Sequence, residues 1–288
     1  MASIDLTSVV VPLSLMVIMF GMGLSLSTED FRRIVVYPRA VLIGSFAQIL
    51  LLPATGFVCA IAFGLTGENA VGLIILSACA GGVTSNMLSY LARADVALSV
   101  TLTAISSCVT IVTVPLIVNL ALDYFMGSAA DIQLPVQRTV LSLLLVTVLP
   151  VVAGMLVHYR FSGFATRAEP VIKRISVVVL FAIILSTVFI GRDLALESFA
   201  TVGPATWLLN VLCMAAGYVL SRLFRLTDRQ SSSIVIEVGV QNIVTAIFVA
   251  STLLQVPGMA LPAAMYSLPM FFNACSYVLF RRRQKAPG

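Results

Sequence analysis

Residues 232–253 read SSIVIEVGVQNIVTAIFVASTL, an apolar run of membrane-crossing length that carries a carboxylate, Glu237, in its first half. A charge at bilayer depth costs at least ~2.5–3.5 kcal/mol, so such a residue normally has a partner and a task. Its neighbours, Glu237-Val238-Gly239-Val240-Gln241-Asn242, add two carboxamides and a glycine. Glycine loosens a helix. The carbonyls and N–H groups it frees survive at membrane depth only inside protein or against a cavity. The stretch therefore predicts a broken helix beside a cation-holding cluster.

A second stretch has the same grammar. Gly81-Gly82-Val83-Thr84-Ser85-Asn86 places glycine, polar residues and asparagine inside the apolar run 71–91. Small residues in membrane helices also serve simply to let helices pack closely. The flanking Ser85 and Asn86, matched by Gln241 and Asn242, favour a site, because paired breaks in two halves of a transporter point to binding at mid-membrane.

Composition sets the solvent. The 288 residues are 60% hydrophobic and 10% charged, against about 25% charged in an ordinary soluble domain, which implies an integral membrane protein. Nine spans are expected, at 7–26, 40–64, 71–91, 97–120, 138–158, 172–190, 204–223, 232–253 and 260–280. Each is near the ~20 residues that cross a bilayer as helix. In this nine-span reading fifteen of the 17 basic residues fall on one side, and only Arg138 and Arg192 on the other. That bias orients the chain with its N-terminus outside and its C-terminus in the cytoplasm. The net charge of +5 is thus a topological signal, not a nucleic-acid footprint.

The segment 159–174 is expected to be a basic cytoplasmic connection near the middle of the chain. With the fifth span as separator, four spans on each side run in opposite directions, the arrangement of an inverted repeat. No basic n-region precedes the first apolar run, so no cleaved signal peptide is expected. The five cysteines lie in apolar spans without metal-ligand spacing and are expected to be buried packing residues. His158 is expected to be an interfacial anchor and Trp207 a belt residue, while Ser231-Ser232-Ser233 marks a cytoplasmic boundary. Nucleophile elbow, Walker loop, zinc motif and paired intramembrane acids are all missing from the sequence, which does not point to an enzyme.

Sodium is a hard cation that takes oxygen ligands. Glu237 offers charge, Gln241 lies one turn on, and Ser85, Asn86, Ser99 and Thr103 are further candidates. Ser99 and Thr103 are four apart and share a helix face, although either alone often bonds its own backbone. Desolvation favours a protonated Glu237 and a bound cation the carboxylate. Proton coupling therefore stays open, but oxygen-rich neighbours favour sodium.

On Phe20-Gly21-Met22-Gly23-Leu24, on Gly81 to Asn86 with Tyr90-Leu91-Ala92-Arg93, on Ala97-Leu98-Ser99-Val100 and on Glu237 to Asn242, the chain resembles the bile acid:sodium symporter family. The resemblance implies an all-α membrane fold with an inverted repeat and two interrupted, crossing helices. It implies a core domain of spans within 40–120 and 204–280 on a panel of spans within 7–26 and 138–190. It implies two sodium ions, one held by Ser85, Asn86, Ser99, Thr103 and Glu237. The other would be held by Gln48, Glu237, Gln241 and the backbone of Val238 and Val240. Asn86, Asn242 and Asn273 are the expected substrate contacts. The expected activity is sodium-coupled import of an organic anion across the cell (inner) membrane. A proton-coupled transporter and a non-transporting ligand receptor are the alternatives. Ala80 stands where a proline is frequent, and the last span lacks the His-Asn pair of some bile-acid-binding relatives. A smaller acid, pantoate-like or a 2-oxo acid, is therefore the preferred substrate.

Overall fold

The apolar runs fold as helices throughout the computed structural model, which describes residues 6–27, 29–31, 36–127, 132–190 and 192–284. Arg32, Arg33 and Lys285, part of the charge count above, lie outside those residues. The helices are α1 (Leu6–Ser25), α2 (Pro38–Ala62), α3 (Gly67–Ala78), α4 (Val83–Leu91), α5 (Val96–Met126) and α6 (Val136–Arg160). There follow α7 (Ser162–Ile190), α8 (Arg192–Leu223), α9 (Asp228–Gly239), α10 (Ile243–Leu253) and α11 (Leu261–Gln284). Among the described residues, six of these, α2, α5, α6, α7, α8 and α11, are long and apolar enough to cross a membrane. Shorter apolar stretches come from α1, α3 and α10. The chain is an all-helical, multi-pass membrane protein.

Two runs written as single spans are each occupied by two helices. Run 71–91 holds α3 and α4, parted at Cys79–Gly82, and run 232–253 holds most of α9 and α10, parted at Val240–Asn242. The broken segments sit at the centre. Residues 70–78 of α3 and 231–239 of α9 are all buried. A helix apolar nearly all round, as α3 is over 70–78, belongs in an interior, and an interrupted backbone, in α9 as in α3, belongs there for a second reason, since lipid offers it no hydrogen bonds. α5 packs on α3, and α8 packs on both α9 and α11.

On one flank α1 lies along α6 and α7. The α1–α6 contact is backbone against backbone. A Cβ on Gly154 would collide with Phe20 O and Leu24 N, and one on Gly23 with Val151 O. His158 Nδ1 donates to the Leu24 carbonyl at 2.6 Å, so the expected anchor also ties α6 to the end of α1.

Proline leaves a second signature. In α2 and α6 a π-helical turn, Ala47–Leu51 and Leu144–Val148, immediately precedes Pro53 and Pro150 with one residue between. The pyrrolidine ring excludes the carbonyl four residues back and brings no N–H. Widening the preceding turn accommodates it, and such turns gather at functional sites. Gln48 lies on the first of them.

Several expectations change. Segment 159–174 is helical apart from Phe161, since Ala165, Arg167, Ala168, Glu169 and Lys173 are adequate helix formers whose charges reach water. The eighth helix begins at Arg192, well before 204, and carries Pro204 inside it. Ser231, Ser232 and Ser233 are buried: Ser231 meets Ser221 at 2.6 Å and Ser233 donates to the Asp95 carbonyl at 2.7 Å. They form a polar seam between α9 and its neighbours near the start of α9. Cys59, Cys79 and Cys213 are buried, but Cys108 and Cys275 stand on the outer surface of the helix bundle. Trp207 is half-exposed and leans on Phe272 with ring centroids 5.5 Å apart.

Candidate ion-binding site

The two breaks meet. Gly81 and Gln241 pair as an antiparallel backbone bridge, and Asn242 N donates to Ala80 O at 2.9 Å. Each interrupted strand thus satisfies backbone groups of the other, which solves locally the problem of open main chain in an apolar interior. Asn242 then starts α10, its Oδ1 accepting from Thr245 N at 3.0 Å.

Glu237 is fully buried at the end of α9 beside this bridge. Ser99 Oγ donates to its Oε2 at 2.8 Å and Thr103 Oγ1 donates to its Oε1. Ser99 Oγ also lies 2.9 Å from Asn86 Oδ1 and accepts from Ser89 Oγ at 3.2 Å. Thr103 Oγ1 lies 3.0 Å from Ser99 O and 3.4 Å from Asn86 Oδ1, and Ser85 Oγ lies 2.6 Å from Gly82 O. The structure therefore brings together all five residues expected at the first ion position.

Each hydroxyl has one proton to give. Ser85, Ser99 and Thr103 together face five oxygens: two on Glu237 and one each on Asn86, Ser99 and Gly82. Gly82 O and Ser99 O are also served by main-chain N–H groups, Ser85 N donating to Gly82 O at 3.0 Å. The cage is a buried carboxylate ringed by neutral oxygens, which a cation can engage together.

A second cluster adjoins it. Gln48 is buried, and both its Oε1 and Nε2 lack a protein partner, as does Gln241 Oε1. An unmet buried polar atom costs about 1–3 kcal/mol, so three together mark a place built for a ligand. A Cβ on Gly81 would collide with Glu237 Oε1 and come 3.2 Å from Gln48 Nε2. Glycine at 81 is thus what lets Gln48 and Glu237 converge. Val238 O accepts from Gln241 Nε2 at 2.8 Å, and Val240 is extended at φ −112°, ψ 103°. Among the described residues, no three His, Cys, Asp or Glu side chains cluster as a metal site. The donors are one carboxylate with neutral oxygens, which suits a hard monovalent cation.

The expected substrate contacts divide. Gly82, Thr84, Gln241 and Asn242 line a narrow cleft whose far wall includes Ile18 and Ser176, and Asn86 lines the adjoining one. Asn273 is engaged elsewhere. Its Nδ2 donates to Asn210 Oδ1 at 2.8 Å, and Asn210 Nδ2 donates to Gly239 O at 2.7 Å and to Tyr266 Oη at 2.9 Å. Tyr266 in turn donates to Gly239 O at 2.9 Å. This buried triad grips the carbonyl that the break in α9 frees, and reading charge and glycine alone missed Asn210 and Tyr266. Both were visible as polar residues inside apolar runs.

The pattern of the Sodium Bile acid symporter family matches residues 12–198. The chain belongs to that family. It is 32% identical over 253 residues to an uncharacterised sodium-dependent transporter, YocS, of Bacillus subtilis, covering 88% of this chain and 76% of that one. It is 31% identical to the probable sodium/metabolite cotransporter BASS2 of rice chloroplasts, covering 94% of this chain and 63% of that one. It is 28% identical to the human ileal sodium/bile acid cotransporter, covering 82% and 67%. The chain spans about three fifths of the plant relatives' length. The family and these relatives are transporters, not enzymes.

Proposed function

We propose that the protein is a sodium-coupled symporter that imports a small organic anion by alternating access. The observation that carries this reading is the oxygen cage around the buried carboxylate of Glu237. A proton on Glu237 bonds a single oxygen, whereas a cation engages several oxygens of the set at once. That favours sodium over proton coupling. The sodium-dependent relatives point the same way.

In this reading two ions bind. One lies among Ser85, Asn86, Ser99, Thr103 and Glu237, the other among Gln48, Glu237, Gln241 and the Val238 and Val240 carbonyls. Asn86 and Asn242 face the substrate, Asn273 acts indirectly through Asn210, and the anion is a pantoate-like or 2-oxo acid. The chain spans the cell membrane nine times as an inverted repeat, N-terminus outside, with α1, α6 and α7 as a panel against the remaining core. Two sodium ions with one monovalent anion carry one net charge inward, worth about 2.3 kcal/mol per 100 mV.

The test is uptake into proteoliposomes with sodium replaced by potassium or choline, wild type against Glu237→Ala. Uptake that requires sodium and is lost in the variant supports the reading. Equal, sodium-independent uptake by both removes it. Uptake driven by a pH gradient alone would indicate proton coupling, and ligand binding without flux a receptor.

A further inference from the structure

The cleft beside the breaks has one cationic wall residue. Lys173 of α7 lines both the cleft formed by Gly82, Thr84 and Asn242 and the adjoining one formed by Asn86 and Tyr90. The two clefts share Lys173 with Val83 and Met87, so the lysine stands where they join. Among the described residues that line these clefts it is the sole Lys or Arg. Its ammonium rests on Glu169 Oε1, one helical turn away, and the lysine side chain keeps 40% of its surface exposed. The same Glu169 oxygen accepts from Ser25 Oγ of α1 at 3.0 Å. Glu169 therefore retains a partner when the lysine leaves.

We propose that Lys173 is a specificity-determining contact for the anion. Its ammonium exchanges Glu169 for the substrate carboxylate, and Ser25 holds Glu169 meanwhile. This rests on the symport reading above and adds to it a charge requirement: the cleft takes a carboxylate and refuses the uncharged analogue of the same shape. It also places recognition across the cleft from the ion cage, so that anion binding draws α7 towards the broken helices.

The experiment measures thermal stabilisation by pantoate, with its neutral lactone as control, in sodium and in potassium chloride. The proteins are wild type, Lys173→Gln, Lys173→Arg and Glu169→Gln, and the shift caused by sodium alone reports that each variant is folded. The expected result is a pantoate affinity at least tenfold weaker in Lys173→Gln and within threefold of wild type in Lys173→Arg. Glu169→Gln, whose lysine is released, should bind pantoate more tightly. The lactone should stabilise none of them. Equal affinity of wild type and Lys173→Gln overturns the lysine assignment alone. Should Lys173→Gln not fold, a Glu169→Gln affinity at or below that of wild type overturns it. Pantoate binding by wild type that is equal in sodium and potassium overturns the symport reading and leaves the lysine comparison standing. Failure of wild type to respond to pantoate in either salt overturns both for this class of acid.

Discussion

Gly81 lies directly against the Glu237 carboxylate, so closely that no side chain fits between them. The contact joins the first break to the acid of the second and leaves Gln48 beside both. Replacing Gly81 by alanine should push Glu237 out of the cage, at about 1–3 kcal/mol for the overpacking. The variant should still fold, but the rise in melting temperature produced by sodium should vanish. Scanning fluorimetry in detergent, with and without sodium chloride, is sufficient to see it.

Glu237→Gln separates charge from shape. It keeps the size and removes the negative charge that a cation needs. Without sodium, the variant should melt no lower than wild type, because it no longer buries a charged carboxylate. With sodium at a hundred times its dissociation constant, wild type should gain about 2.7 kcal/mol per site and the variant should not. A sodium response of normal size in Glu237→Gln would argue that the ion binds elsewhere.

The Asn210–Tyr266 pair offers a graded test. Tyr266→Phe removes one donor to Gly239 O while Asn210 still holds it, for a loss of about 1 kcal/mol. Asn210→Leu strands Asn273 and Tyr266 as well and should cost more. Both variants should raise the sodium concentration for half-maximal uptake several-fold, because the carbonyl they grip is two residues from Glu237. The ordering, leucine worse than phenylalanine, is the informative result.

The α1–α6 seam should tolerate no side chain. Gly154→Leu and Gly23→Leu each insert bulk between touching backbones and should destabilise by more than about 3 kcal/mol. Loss of the monodisperse peak in size-exclusion chromatography would register it. Normal elution of both variants would contradict the contact.

Much of the site was legible because membranes penalise polarity. A carboxylate, two glycine-containing breaks and a pair of hydroxyls four apart stand out against valine, leucine and isoleucine, and folding brings them within 3.5 Å of one another. Asn210 and Tyr266 were missed because neutral polar residues carry a smaller penalty and so a fainter signal. The packing role of Ser231–Ser233 was not legible for a related cause: serine suits a water boundary and a buried helix contact alike, and its bond to the Asp95 carbonyl shows only in three dimensions. Helix ends were misjudged where charged but helix-favouring residues, as at 162–174, extend a helix beyond the apolar run. The π-helical turn that presents Gln48 was invisible to spacing alone, although it lies just before Pro53.

The backbone bridge between Gly81 and Gln241 has a kinetic corollary. Two strands stitched to each other move as one hinge, so whatever tightens either strand must tug its mate. On the two-ion reading proposed above, the first ion to arrive pre-shapes the pocket of the second, and flux should rise sigmoidally, not hyperbolically, with external sodium. Partial loading would leave the hinge slack, and the carrier would idle without leaking its gradient.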